Sequence, residues 1–243
     1  MTILKNLDPY IQNAINHFWC TRMSQSQKQQ ASGRSDAGTR GAVTGGKQML
    51  VFEQLVVSIA LERGIPESAL FFSSKLELPG YFRPEKKWDL VIVDEGILVA
   101  AIEFKSQVGP SFGNNFNNRA EEAIGTANDL WIAYREGAFG LALRPWLGYL
   151  FILEDHPKST CSVRLQEPHF QVFPEFKGAS YAKRYELLLI RLIRERYYDA
   201  GCLLLSKATT PPTTMEPCNM LLAKLFFTQL AGHLDTYVMS KSI

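Results

Sequence analysis

The chain has 243 residues, 46% hydrophobic and 21% charged, with a formal net charge of +2. That length accommodates one large α/β domain or two small ones with a substantial core, and so small a net charge does not by itself announce a nucleic-acid partner. No apolar run approaches the ~20 residues of a membrane helix. The best stretch, Leu141 to Leu153, is broken by Arg144 and Pro145, and the opening MTILKNLDPYIQ lacks a basic segment followed by an apolar one, so a cytoplasmic protein is expected.

Leu7 to Met23 has Tyr10, Ile11, Ala14, Ile15, Phe18 and Trp19 at helical spacing, which predicts an amphipathic helix over 7–23. Residues 24–46 are rich in Gln, Ser, Gly and Arg and read as a long loop, a feature that in compact domains is functional or disordered. Over residues 1–50, Lys5, Arg22, Lys28, Arg34, Arg40 and Lys47 face only Asp8 and Asp36. This local excess suits phosphate contact and suits a solvated arm equally well.

Lys47 to Arg63 reads as a second helix, with Met49, Phe52, Leu55, Val56, Ile59 and Ala60 as its apolar stripe, Glu53 at the border, and Gly64 closing it. Three strands are predicted next, at 70–78, 88–93 and 97–105, the last two joined by Asp94-Glu95-Gly96 read as a three-residue hairpin loop. A loop at 108–118, a helix at 119–136 ended by Gly137, and a buried strand at 147–153 complete the order α-β-β-β-α-β. Helices follow at 181–197, after Ser180 as N-cap, and at 219–237; between them lie a short apolar segment at 202–205 and a rigid connector at 209–214. No internal repeat and no dividing linker is evident, so one elaborated α/β domain over 1–243 is expected, its core at about 46–155.

The four cysteines (Cys20, Cys161, Cys202, Cys218) and four histidines (His17, His156, His169, His233) show no metal-ligand spacing. Free thiols in or near the core and ordinary structural or surface imidazoles are expected.

Glu-x-Lys occurs three times, at 85–87, 103–105 and 175–177, and geometry must choose among them. A metal-dependent phosphodiesterase needs hard oxygen ligands, with positions left for water and phosphate, and a cation beside the attacking water. On a strand, Glu-x-Lys places carboxylate and ammonium on one face. Glu85 follows Pro84 in a loop, and Glu175 lies between Pro174 and Gly178 in a turn. Glu103 sits on the third strand. Counting back from a three-residue turn puts Asp89 opposite Ala101 and Glu103 diagonal to it, roughly 7–8 Å away on the same face. Asp94, at the turn, lies about 20–30 Å along the strand from Glu103. The same residues also suit a surface hairpin with charged ends.

With Asp on the second strand and Glu-x-Lys on the third, the order helix, three strands, helix, strand resembles the PD-(D/E)XK nuclease core; Trp88 stands where the motif has its proline. In that core an acidic residue of the preceding helix often joins the metal shell. Glu53 occupies the matching position, where an ordinary surface glutamate would fit equally. The stretches AAIEFKSQVGPSFGNNFNNRAEEAIGTANDLW and GRSDAGTRGAVTGGKQM are similar to XhoI-type restriction endonucleases, and the similarity spans most of the chain.

That resemblance implies a bacterial-type homodimeric Type II enzyme that cuts double-stranded DNA at CTCGAG after the first C, leaving four-base 5′ overhangs, with a separate methyltransferase protecting host sites. It implies Mg²⁺ held by Asp89, Glu103 and the Phe104 carbonyl, with Lys105 positioning or deprotonating water. Candidate DNA contacts are Arg34, Arg40 and Lys47 in one segment and Gln107, Asn114, Asn115, Asn117, Asn118 and Arg119 in another, since Arg reads guanine and Asn or Gln adenine in the major groove. An Asn-rich turn capping the helix is the plain alternative for the second segment. The helices at 181–197 and 219–237 could bury a dimer interface or core. A structure-directed repair or recombination nuclease and a non-catalytic DNA-binding protein share the same core and remain open.

Overall fold

The computed structural model describes residues 2–31, 46–140 and 143–241. Arg34 and Arg40 therefore lie outside the described residues. Helix α1 spans Asp8–Ala31, eight residues beyond the expected end at Met23, so the front of the expected loop is helical. The Gln/Ser/Lys run past Met23 contains no Gly or Pro to stop it before Ala31. A 3₁₀ turn at Gly46–Met49 leads into α2 (Leu50–Glu62), after which Gly64 takes a positive φ of 84°.

The expected strand over 70–78 is instead two short ones, β1 (Leu70–Phe71) and β2 (Glu77–Leu78). Two serines and Lys75, at φ 57°, turn the chain between them. β2 pairs antiparallel with β3 (Lys86–Lys87) as a separate two-stranded ribbon. β4 (Leu90–Asp94) and β5 (Ile97–Gln107) form the hairpin. Helix α3 runs over Phe112–Arg135, which makes the expected loop at 108–118 largely the first two turns of a helix. Then come β6 (Trp146–Glu154), the short α4 (Pro157–Thr160), α5 (Tyr181–Arg194), β7 (Ala200–Lys207), β8 (Thr213–Met215) and α6 (Ala223–Ser240). The expected connector at 209–214 thus partly becomes β8.

The main sheet has the order β1-β4-β5-β6-β7-β8. β4 is antiparallel to β1 and β5, while β5, β6 and β7 run parallel and β8 closes the edge antiparallel. This mixed sheet is covered on both faces. One core gathers Phe18, Phe52, Ile59, Ile102, Leu150 and Phe226 from α1, α2, α6 and the sheet; the other gathers Leu130, Leu147, Phe151, Tyr185, Leu189 and Leu203 from α3, α5 and the sheet. The apolar sides of α5 and α6 thus form core within the chain. Burial on both faces explains the unbroken WLGYLFIL of β6, since inner parallel strands lack a wet side.

Two details of the hairpin decide the site. Glu95 and Gly96 both take positive φ (51° and 80°) and Asp94 pairs with Ile97, a two-residue turn in place of the expected three-residue loop. Val93 pairs with Leu98 but Ile92 pairs with Ala100, which leaves Val99 as the extra residue of a β-bulge. A one-residue register shift alone turns the strand's faces over. The shorter turn and the bulge supply one shift each and compensate. With Leu90 opposite Ile102, Asp89 falls level with Glu103 rather than opposite Ala101.

Asp94, buried behind the turn, accepts from Tyr237 Oη at 3.0 Å and Lys241 Nζ at 2.7 Å, which ties β4 to α6. Trp19 Nε1 donates to Ser206 Oγ at 2.8 Å and ties α1 to β7. Gly148 shows how tight β6 is: a Cβ there would lie 2.4 Å from the Trp146 ring and 2.8 Å from Phe226. Gly148→Ala is expected to cost about 1–3 kcal/mol by overpacking. Equilibrium denaturation should show that loss.

Cys202 is buried and Cys218 half-buried, but Cys20 and Cys161 are exposed, contrary to the expectation of thiols in or near the core. His17 meets the Lys47 carbonyl, His156 caps α4 and His233 meets the Val99 carbonyl, all structural roles. Among the described residues, no helix is long and apolar enough to cross a membrane.

Candidate active site

Asp89 sits just before β4, and its Oδ2 accepts from the Phe104 N–H at 2.8 Å and from Lys105 Nζ at 2.7 Å. Lys105 also lies against Glu103 Oε2. Glu103 is 2% exposed, and its other oxygen accepts from Lys86 Nζ at 2.5 Å. Two carboxylates and two ammonium groups therefore meet where β3 of the ribbon leads into β4, beside residues 103–105 of β5. The Glu85 and Glu175 triplets play no such part: Glu85 is exposed, and Glu175 lies in a 3₁₀ turn at Pro174–Phe176.

Charge within this cluster is unevenly supported. For Glu103, burial opposes ionisation, but Lys105 and Lys86 outweigh it and hold its pKa below the usual value. Burial and the Glu103 charge push Asp89 up despite Lys105. Burial acts against the Lys105 ammonium, yet Glu103 and Asp89 hold its pKa above the ordinary lysine value. Lys105 is accordingly a cation in this arrangement, suited to stabilising negative charge. Glu53 is 7% exposed on α2, inside the fold rather than at the border of its stripe; burial, then the nearby Asp89 charge, push it up to about 8.

A cleft of about 290 Å³ opens beside Glu103 and Lys105, walled by Arg83, Lys86 and Arg119 as well as Tyr149. Arg119 comes from the third turn of α3 and pairs with Glu122. Arg83 is held by Asp129, whose buried carboxylate also accepts the Tyr81 and Phe82 N–H groups at 2.7 Å each. Gly80 permits that contact, since a Cβ would lie 2.2 Å from the Asp129 carboxylate.

Of the expected site residues, the fold brings together Asp89, Glu103, Lys105 and Arg119, with Glu53 within electrostatic reach of Asp89. Gln107 is not available for base contact: it is 3% exposed, donates to the Ser111 carbonyl and accepts from the Tyr185 hydroxyl. Asn114, Asn117 and Asn118 are exposed near the start of α3 and Asn115 is half-buried; Lys47 is exposed. Lys86, Arg83 and Tyr149 escaped the sequence reading. Lys86 belongs to a Glu-x-Lys triplet set aside as a loop, and only the Leu78–Lys86 pairing of the ribbon turns it toward Glu103.

Two carboxylates form a donor set suited to Mg²⁺, which is commonly bound through one or two carboxylates with water and phosphate completing its shell. Among the described residues, no three His, Cys, Asp or Glu side chains gather closely enough to hold an ion unaided. Glu103 Oε2 is buried and has the Lys105 ammonium as its charged neighbour, so both Glu103 oxygens lie against cations.

Residues 28–215 match the family described as restriction endonuclease XhoI. The chain is 51% identical over 214 residues to the Type II restriction enzyme BstVI of Geobacillus stearothermophilus, covering 85% of this chain and 95% of that one. It is 47% identical over 192 residues to the Type II restriction enzyme XhoI of Xanthomonas vasicola, covering 78% and 77%. With the Type II restriction enzyme AbrI of Azospirillum brasilense it shares 51% identity over 159 residues, covering 65% and 71%. No solved structure matches. The enzyme class these relatives define is the Type II site-specific deoxyribonuclease, and the mixed α/β sheet with its acidic, lysine-bearing cleft is consistent with it. Within that class, the chain belongs to the XhoI restriction endonuclease family.

Proposed function

We propose that the protein hydrolyses double-stranded DNA at the palindrome CTCGAG, cutting after the first C to leave four-base 5′ overhangs. One observation carries the reading above the rest: Asp89 and Glu103, level on neighbouring strands, share the Lys105 ammonium beside a cleft lined with basic groups. The order α2-β1-β4-β5-α3-β6, interrupted by the β2–β3 ribbon, supports a PD-(D/E)XK core within one domain.

Asp89, Glu103 and the Phe104 carbonyl would hold Mg²⁺, with Glu53 behind them. When bound, the ion supplies a Lewis acid and a water acidified toward neutral pH. Lys105, fixed by both carboxylates, places its charge where the pentavalent phosphate gains negative charge. Arg83 and Arg119 draw the DNA phosphate into the cleft. Asp89 keeps the Phe104 peptide in place through its N–H, which fixes the orientation of the neighbouring carbonyl.

Base reading falls to the exposed Asn114, Asn117 and Asn118 at the start of α3, with Asn115 beside them; Arg34, Arg40 and Lys47 supply further DNA contacts. A palindromic site calls for a two-fold homodimer. A separate methyltransferase protects the host sites, and the enzyme works in the bacterial cytoplasm.

Incubation with a sequenced plasmid and Mg²⁺ should give discrete bands whose ends map to CTCGAG, and EDTA should abolish them. Ends scattered over the plasmid would replace this reading with a structure-directed nuclease. Binding without cutting would leave a non-catalytic DNA-binding protein.

A further inference from the structure

Tyr149 lies on β6 next to Glu103 in the parallel register and lines the cleft with Lys105 and Arg119. It is 2% exposed, and its buried hydroxyl has no hydrogen-bond partner among the described residues. Other buried phenols are satisfied: Tyr185 donates to Gln107, Tyr198 to the Ala123 carbonyl at 3.3 Å and Tyr237 to Asp94 at 3.0 Å. Leaving such a donor unpaired is costly, so buried hydroxyls are nearly always bonded.

The Tyr149 ring has little freedom to seek a partner elsewhere. It packs edge-on against Tyr198 at 5.2 Å and stacks with Phe151 at 6.4 Å. The charges nearest the phenol, Lys105, Glu103, Arg119 and Glu122, all line the cleft, so a partner reaches the hydroxyl from that side, past a wall that now leaves the oxygen almost no accessible surface. Arg83, Lys86, Lys105 and Arg119 line that space as hydrogen-bond donors, their charge balanced by Asp129, Glu103, Asp89 and Glu122, so an entering acceptor oxygen finds donors on several sides.

We propose that the Tyr149 hydroxyl donates a hydrogen bond to a non-bridging oxygen of the DNA phosphate that enters this cleft, making Tyr149 a further catalytic residue. The assignment rests on the nuclease reading of the site. Burial holds the phenol well above its ordinary pKa, so it remains a donor throughout the neutral range.

Tyr149→Phe removes only the hydroxyl. On a duplex oligonucleotide containing CTCGAG, with Mg²⁺, kcat should fall about 10²-fold, the loss typical of one transition-state donor, with KM for DNA unchanged. The melting temperature should not fall, because an unpaired buried group has been deleted. A phosphorothioate at the scissile position should cancel the difference between variant and wild type in one diastereomer, where sulfur has replaced the contacted oxygen. Equal kcat in the two proteins, where the wild type cuts, overturns the proposal alone. A lower kcat accompanied by a lower melting temperature, with both diastereomers affected alike, makes the residue structural and overturns it too. A wild type inert on all duplex DNA overturns the nuclease reading and this proposal together.

Discussion

Asp89→Asn is expected to cleave DNA about 10³-fold more slowly than wild type, at the upper end of losses from removing one electrostatic contact in an active site. Its melting temperature in EDTA should be no lower. The two outcomes separate because the charge is needed by the proposed chemistry and not by the fold: burial and Glu103 already push Asp89 toward its neutral form. Asparagine keeps an oxygen for the Phe104 N–H, now held at 2.8 Å, while relieving the repulsion. It cannot give a metal ion the negative oxygen that the proposed chemistry needs. Gel-resolved cleavage rates, a filter-binding assay without metal and a thermal melt form the measurement. Wild-type rates in the variant would remove Asp89 from the mechanism.

The second large effect is on stability. In the unfolded chain Glu53 titrates near the ordinary value of about 4.3. In the fold, burial and then the Asp89 charge push it up to about 8. Between those values the folded protein holds a proton that the unfolded chain has released. Raising the pH through this window therefore lowers stability, and the loss is complete above about 8. At about 1.4 kcal/mol per unit, a few kcal/mol are at stake. Urea denaturation in EDTA should show stability contributed by this group at pH 5 that is absent at pH 9. Glu53→Gln should flatten that dependence and be the more stable protein at pH 9. An unchanged profile in Glu53→Gln would show that the carboxylate titrates normally. Asp89→Asn should make the fall smaller and end it at lower pH, because without the Asp89 charge the folded Glu53 titrates lower.

Much of the site was legible in the chain itself because the relevant signals are local. Period-two spacing places Glu103 and Lys105 on one face of a strand, and turn residues at 94–96 announce a hairpin. Choosing Glu103 over Glu85 and Glu175 needed only the neighbouring prolines and glycine. The level pairing of Asp89 with Glu103 was not legible. It depends on a turn one residue shorter than expected and on the bulge at Val99, two deviations whose effects on the face cancel. Likewise the Asn-rich segment read as a loop, because asparagine favours turns; Phe112 and Phe116 packing on Tyr181 and Tyr185 holds it helical.

The sequence by itself determined the β4–β5 hairpin and the buried β6, the candidate pair Glu103 and Lys105 with Asp89 as its proposed partner, and the family, since each is written in contiguous residues. Only the tertiary structure decided which other groups share the cleft. Lys86 arrives from the β2–β3 ribbon, Arg119 from α3, Arg83 from a loop clamped by Asp129, and Tyr149 from the next parallel strand. Gln107 was withdrawn into the core by the same packing. The physical reason is range: strand period and turn chemistry act over a few residues, whereas burial, ion pairing and desolvation depend on what distant segments bring into contact.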